Sequence, residues 1–187
     1  MSFFDDFNLI QFKNQKPPSD NSLTTLKEIK DINSLELNEK FVTYYDDAYN
    51  VFKNVIESNG YKFPEDLVKG LINESRKPIL DLKTYHNRTR PAEIAKNYNI
   101  DLDVTDLSSA KTKAYPSGHS AQGLLIALVL SDMYPQLRNK LMKAGENISY
   151  SRNVGRLHYA SDSKAGKDLG LKLYEYYKQK TNALHTA

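Results

Sequence analysis

The chain has 187 residues, 40% hydrophobic and 26% charged, a composition typical of one globular domain. The formal net charge is only +3 and both signs are mixed along the chain, so no nucleic-acid-binding surface is predicted. Cysteine is absent, which excludes disulfides, thiolate metal sites and a cysteine nucleophile.

The N-terminal segment, residues 1–36, is predicted to be partly irregular, with a break at Pro17-Pro18. It carries acidic residues where a secretory signal would carry positive charge. The longest apolar run, residues 123–130, is too short to cross a bilayer. The sequence therefore predicts a soluble protein without an integral membrane segment, and it favours the cytoplasm over export.

A helical domain is predicted over residues 37–187. From Leu37, apolar residues recur at spacings of three and four until Asn59-Gly60, which indicates one amphipathic helix. A second helix is predicted to begin near Pro64 and to break or kink at Pro78. Residues 97–113 are polar and show no clear period, which predicts a loop.

Three more helices are predicted beyond this loop. The first runs from about Ser117 to Met133 and is apolar on most sides, so it should lie at the centre of the fold. Pro135 begins the next helix, and the last begins near Ser161. No segment shows the period-two alternation of a strand, so the predicted class is all-α, a single-domain helical bundle.

A first cluster of basic residues is suited to binding a tetrahedral oxyanion. Lys83, Arg88 and Arg90 lie close together in the chain and are followed by Pro91. A guanidinium can bind two oxygens of a phosphate at once. For Arg88, two interpretations stay open: a position at the rim of a pocket, or an ion pair at the protein surface.

A second cluster, Tyr115-Pro116-Ser117-Gly118-His119, precedes the apolar helix. The first N–H groups of a helix are unpaired and carry partial positive charge, so such an end binds phosphate. Ser117 can cap the helix or donate its hydroxyl to a ligand. Gly118 lets a ligand approach the backbone closely.

A third cluster, residues 151–162, contains Arg152, His158 and Asp162. His158 and Asp162 are four residues apart, so the carboxylate can reach one ring nitrogen. A carboxylate on one nitrogen fixes the tautomer and leaves the other nitrogen free to attack. A purely structural contact is the alternative for this pair.

The three clusters together resemble the signature of the type-2 phosphatidic-acid phosphatase superfamily. This superfamily includes bacterial class A non-specific acid phosphatases, membrane lipid phosphatases and vanadium haloperoxidases. The matching positions, in order, are Lys83-x6-Arg90-Pro91, Pro116-Ser117-Gly118-His119 and Ser151-Arg152-x5-His158-x3-Asp162. The resemblance extends roughly from Leu37 to the C-terminus, is strongest to the class A enzymes, and implies a bundle of the acid phosphatase/vanadium haloperoxidase type.

The resemblance implies a metal-independent phosphomonoester hydrolase that acts through a phosphohistidine intermediate. It implies that His158 is the nucleophile, that Asp162 orients it, and that His119 serves as acid and then as base. It assigns the phosphate oxygens to Lys83, Arg90, the Ser117 hydroxyl, the Gly118 N–H and Arg152. The implied partner is a small phosphorylated substrate; no cofactor is implied, and homo-oligomerisation stays open.

Three alternatives share this signature or part of it. A vanadate-dependent haloperoxidase would use the same residues to hold vanadate, which would then be its cofactor. A peripheral enzyme could hydrolyse lipid phosphates or diphosphates. A phosphate-binding module without catalysis would not need the oriented histidine.

Overall fold

In a computed structural model, residues 3–185 are described, and they form nine α-helices and two short 3-10 turns without a strand. The predicted all-α class is therefore confirmed. Residues 1, 2, 186 and 187 and the side chains of Leu184 and His185 lie outside the described part. The sequence predicts no role for His185. The helices are α1 (Ile10–Asn14), α2 (Leu23–Asn33), α3 (Glu39–Asp46), α4 (Ala48–Glu57), α5 (Glu65–His86), α6 (Pro91–Asn97), α7 (Gly118–Met133), α8 (Arg138–Val154) and α9 (Ala160–His185).

Helix α7 is the centre of the bundle, as its apolar sequence predicts. Most of its residues are buried, and it packs chiefly against α8 and α9, with α5 and α4 on its other sides. The main core combines aliphatic residues of α7 and α8 with aromatic residues such as Phe52 and Phe63. A helix that is apolar on all sides is stable only when neighbours surround it, and here they do.

Small residues bring the helices around α7 unusually close. A methyl group built on Gly166 of α9 would overlap the backbone carbonyl oxygen of Ser117, and one built on Gly170 would overlap that of Ala121. On α8, a methyl group on Gly145 would lie 2.7 Å from the carbonyl oxygen of Gly123. The close approach fixes the start of α7 against the start of α9.

Two predicted elements differ from the structure. The single helix expected from Leu37 is divided into α3 and α4, because Asp47 leaves helical geometry and caps α4 by accepting a hydrogen bond from the N–H of Asn50. A break or a kink is expected at Pro78; no break occurs, and α5 continues to His86. Buried residues on both sides of Pro78, among them Leu71 and Leu82, hold the helix against the core, which offsets the cost of an internal proline of about 3 kcal/mol.

The N-terminal segment packs onto the rest of the chain through two helices, α1 and α2. Phe4 and Phe12 join the main core. Ile29 of α2 joins a second buried cluster that includes Ile94 and Tyr159. This segment therefore contributes buried side chains beside the third sequence cluster. Within residues 3–185, no helix is both long and apolar enough to cross a membrane.

Candidate active site

The N-terminus of α7 forms one wall of the site. The chain reaches it through a cis peptide bond between Tyr115 and Pro116. Ser117 is the N-cap, and its Oγ accepts a hydrogen bond from the backbone N–H of Ser120 at 3.3 Å. Gly118 is then the first helical residue. Because the first turn of a helix leaves N–H groups unpaired and partially positive, this end of α7 favours an anion.

Lys83 lies buried in the last turn of α5. Its Nζ donates hydrogen bonds to the backbone carbonyl groups of Lys113 and Ala114, the latter at 3.3 Å. Burial, and then the nearby charge of Arg90, lower the pKa of Lys83 to about 7. An anion bound beside this amine would favour its charged form, so ligand binding and protonation of Lys83 support each other.

His158 and Asp162 form a buried pair at the start of α9. Nδ1 of His158 is 3.0 Å from Oδ2 of Asp162, and the side chains are 2% and 0% exposed. Burial, and then the charge of Arg90, hold the pKa of His158 well below its usual value. The ring is therefore neutral near pH 7.

The other ring nitrogen of His158 faces Arg90. Nη1 of Arg90 is 3.0 Å from Nε2 of His158, while its Nε donates to the carbonyl oxygen of Thr112 at 2.7 Å. A guanidinium only donates hydrogen bonds, so Nε2 must supply the lone pair. The geometry thus selects the tautomer with the proton on Nδ1 and the lone pair on Nε2.

His119 pairs with Asp46, a residue outside the three sequence clusters. Nε2 of His119 is 3.2 Å from Oδ1 of Asp46 and 3.0 Å from its backbone oxygen. Nη1 of Arg152 donates to the same carboxylate oxygen at 2.6 Å, as does the hydroxyl of Ser109. The sequence hardly indicates a role for Asp46, because this residue is only one of two acidic residues that interrupt a stretch of regularly spaced apolar residues.

The carboxylate of Asp46 couples the protonation of His119 to the charge of Arg152. Partial burial by itself raises the pKa of Asp46, but the hydrogen bonds from His119 and Ser109 and the charge of Arg152 hold it well below its usual value. Burial, and then Arg152, lower the pKa of His119, and Asp46 opposes that change. Asp46 therefore stays ionised and favours the protonated ring.

These groups surround a cavity of about 430 Å³. Five of the predicted site residues line it, namely Lys83, Arg90, Gly118, His119 and His158. The other three are fully buried next to the lining: Asp162 contacts His158, Arg152 donates to Ser109 at 3.2 Å, and Ser117 directly precedes Gly118. The structure thus brings all eight residues together, with Ser117 in the role of a helix cap.

Arg88 occupies neither the pocket rim nor the protein surface, so both interpretations from sequence were wrong. Its side chain is 1% exposed, and Nη1 donates to Oδ1 of Asp162 at 2.7 Å. Helix α5 ends at His86, and its C-cap Asn87, just before Arg88, has a positive φ of 50°. A guanidinium can be buried there because carboxylates compensate its charge.

Comparison with known proteins agrees with this geometry. A sequence model of the PAP2 superfamily matches residues 67–179. The non-specific acid phosphatase of Salmonella typhimurium is 30% identical over 124 residues, which are 66% of this chain and 43% of that protein. The non-specific acid phosphatase of Providencia stuartii is 40% identical over 58 residues, 31% of this chain and 23% of the relative. The acid phosphatase of Zymomonas mobilis is 29% identical over 101 residues, 54% and 38% of the two chains.

The matched regions span less than half the length of each of these relatives. The family match, in contrast, covers more than half of this chain and contains all three clusters that form the cavity. With the helical fold and the convergence of the signature residues on one cavity, it follows that the chain belongs to the PAP2 superfamily.

Proposed function

We propose that this protein is a phosphomonoester hydrolase of the acid-phosphatase type that acts through a phosphohistidine intermediate on His158, without a metal ion. The observation that carries the proposal is the position of His158 between Asp162 and Arg90, which selects one tautomer of its ring. Nδ1 is held by Asp162, and Nε2 presents a lone pair at the cavity beside Arg90. The relatives named as acid phosphatases support the same reaction class.

In the first step, Nε2 of His158 attacks phosphorus in line as the ester P–O bond breaks. Asp162 stabilises the positive charge that develops on the ring, since Nδ1 keeps its proton. The leaving alkoxide takes a proton from His119. A phosphohistidine and the free alcohol result.

In the second step, water attacks phosphorus as the P–N bond breaks. His119, now neutral, takes a proton from that water, so the same group serves as acid and then as base. Phosphate leaves and both histidines return to their starting states. A phosphoryl transfer needs mainly positioning and charge stabilisation, and no redox chemistry is involved.

The cationic wall of the cavity supplies the charge stabilisation. Lys83 and Arg90 line the cavity directly, and the N–H of Gly118 lies at the start of α7. The hydroxyl of Ser117 accepts hydrogen bonds from Ser120, which leaves its own proton for a phosphate oxygen. Arg152 is held by Asp46 in this structure, so a bound phosphate competes with or joins that carboxylate.

The nucleophile is tested by His158→Ala with p-nitrophenyl phosphate as substrate. We expect kcat to fall by about 1,000-fold or more, because the variant removes the imidazole that Asp162 orients as the nucleophile. His86→Ala is the matched control, since His86 bonds to a backbone oxygen of Phe12 and does not line the cavity. Quenching in alkali during turnover should trap a phosphoenzyme that is stable to alkali and labile to acid, in the wild type only. Near-normal turnover by His158→Ala would contradict the assignment.

Experiments with a chelator and with vanadate distinguish the proposed reaction from that of a metallophosphatase or a haloperoxidase. Activity should persist in excess EDTA, and vanadate should inhibit because it mimics the in-line transition state. Loss of activity with EDTA would indicate a metallophosphatase. Bromination of monochlorodimedone with vanadate and peroxide, in the absence of phosphatase activity, would indicate a haloperoxidase. Nucleotide, diphosphate and lipid-phosphate substrates tested side by side define the leaving group.

A further inference from the structure

A second buried network lies on the far side of Asp162 from His158. Its centre is Arg88, whose Nη1 donates to Oδ1 of Asp162 at 2.7 Å and whose Nη2 donates to Oε2 of Glu28 at 3.0 Å. The guanidinium lies 3.8 Å from the ring centroid of Tyr159. A planar guanidinium held by two carboxylates and an aromatic face has little freedom to rotate.

The contacts of Asp162 show what this rigidity achieves. Oδ2 receives the hydrogen bonds of His158 Nδ1 at 3.0 Å and of the Tyr159 N–H at 3.1 Å. Oδ1 receives the hydrogen bond of Arg88. Each carboxylate oxygen is thus held from a different side, so the orientation of the plane that faces the imidazole depends on Arg88.

Glu28 completes the network from a distant part of the chain. Its Oε1 accepts a hydrogen bond from the N–H of Ser161 at 2.6 Å, in the first turn of α9, and its Oε2 accepts one from the Ser161 hydroxyl at 2.8 Å. Glu28 therefore binds Arg88 and the start of α9 at once. It belongs to α2, which lies outside residues 67–179, the region matched by the family.

We propose that Glu28 and Arg88 are positioning residues that aim Asp162, and through it the nucleophile His158, so that helix α2 of the N-terminal segment completes the active site. The proposal rests on the proposed function in that it concerns the same nucleophile. Neither residue touches the substrate. Their effect reaches phosphorus only through the carboxylate of Asp162.

The two residues have opposite electrostatic effects on Asp162. Burial raises the pKa of Asp162, and the charge and hydrogen bond of Arg88 counteract that rise. Removing the charge of Arg88 therefore moves the pKa of Asp162 upward. Removing the negative charge of Glu28 moves it downward, because a buried carboxylate ionises more easily without a like charge nearby.

The test uses Glu28→Gln, Arg88→Lys and the double variant Glu28→Gln/Arg88→Met, which removes both charges together. The double variant avoids an unpaired buried charge, the change that most endangers folding. Asp31→Asn, an exposed carboxylate on α2, and Arg138→Met, an exposed arginine on α8, are matched controls. Circular dichroism and thermal unfolding establish that each variant folds.

With p-nitrophenyl phosphate, we expect Glu28→Gln and the double variant to lower kcat by about ten-fold or more, the scale on which orienting partners act. KM should change little, and Arg88→Lys should keep more activity than the double variant. The acidic limb of kcat/KM should move to lower pH in Glu28→Gln and to higher pH in the double variant, which loses the direct contact of Arg88 with Asp162. In Arg88→Lys, which keeps the positive charge, the limb should move less. The ionisation of the substrate is common to all variants and cancels in the comparison.

A measurement that requires no substrate turnover can test this inference independently of the proposed function. Nitrogen-15 NMR of the imidazoles should show His158 as the Nδ1–H tautomer in the wild type. In the double variant the share of this tautomer should be smaller, because only Arg90 still selects it firmly, and His86 should be unchanged. This shift would support positioning even if no phosphomonoester were hydrolysed, a result that would refute the proposed function alone. Folded Glu28→Gln and double variants with wild-type kcat, pH limbs and tautomer would overturn the inference.

Discussion

Each of the two histidines of the cavity is paired with an aspartate and an arginine, yet the two assemblies differ in almost every other respect. His158, Asp162 and Arg88 are 2% exposed or less. In contrast, His119 and Asp46 are 19% and 24% exposed, although their arginine, Arg152, is fully buried. One assembly is enclosed and the other borders the open cavity.

The difference matches the two chemical tasks in the proposed reaction. A nucleophile must keep one tautomer and one orientation through the cycle, and enclosure provides both. An acid that becomes a base must gain and lose a proton once per step, so it benefits from contact with solvent and from a pKa that its neighbours can adjust. The enclosed assembly therefore fixes geometry, and the open one controls protonation.

The largest effect should follow from Asp162→Asn, which keeps the shape of the side chain and removes its charge. The amide can present an N–H to His158 and favour the wrong tautomer, so kcat should fall by about 1,000- to 10,000-fold. Steady-state kinetics with p-nitrophenyl phosphate measures this change. Asp168→Asn, an exposed carboxylate on α9, is the control. A loss of less than ten-fold would show that the enclosed assembly does not fix the geometry of the nucleophile.

A smaller effect with a defined sign is expected from Asp46→Asn. Asp46 opposes the lowering of the His119 pKa by burial and Arg152, so its neutralisation should lower that pKa further and move the alkaline limb of activity to lower pH. A pH profile of kcat measures the shift. Asp47→Asn is the matched control, because asparagine also caps a helix well and Asp47 is exposed. An unchanged alkaline limb would show that Asp46 does not control the protonation of His119.

Gly166→Ala tests whether close packing maintains the enclosed assembly. The new methyl group would meet the carbonyl oxygen of Ser117, and Ser117 donates its N–H to the carbonyl oxygen of Asp162 at 3.0 Å. Unfolding free energy should drop by about 1–3 kcal/mol, as for overpacked cores. Urea denaturation measures it. If stability is unchanged, α7 and α9 can separate without cost.

The smallest effect is expected at the surface of the same helix. Lys164 is 80% exposed and pairs with Asp168 at 3.1 Å. Exposed pairs contribute little, so Lys164→Ala should change the unfolding free energy by less than about 0.5 kcal/mol. The same urea denaturation supplies this value beside that of Gly166→Ala. A comparable loss of unfolding free energy in both variants would show that the close contact with Ser117 matters no more to stability than an exposed ion pair.

The sequence by itself determined the helical class, the family and most of the cavity wall. The period of the apolar residues and the capping residues predicted α7 and the start of α5 closely, because both are local properties of the chain. The spacing from His158 to Asp162 likewise predicted their contact, since residues four apart meet at one helix end. The division of α3 from α4 was missed because the apolar period continues past Asp47, the residue that caps α4. At Pro78 the sequence left a break and a kink open, and packing against the core keeps α5 unbroken.

Only the tertiary structure decided which groups control the two histidines. Asp46 meets Arg152 across 106 residues of sequence, and Glu28 meets Arg88 across 60. No local spacing encodes such contacts; they exist because the fold places the end of α3 beside Arg152 and places α2 against Arg88, behind Asp162. The buried charge of Arg88 follows the same rule, since a guanidinium stays inside a protein only where the fold provides carboxylates to meet it.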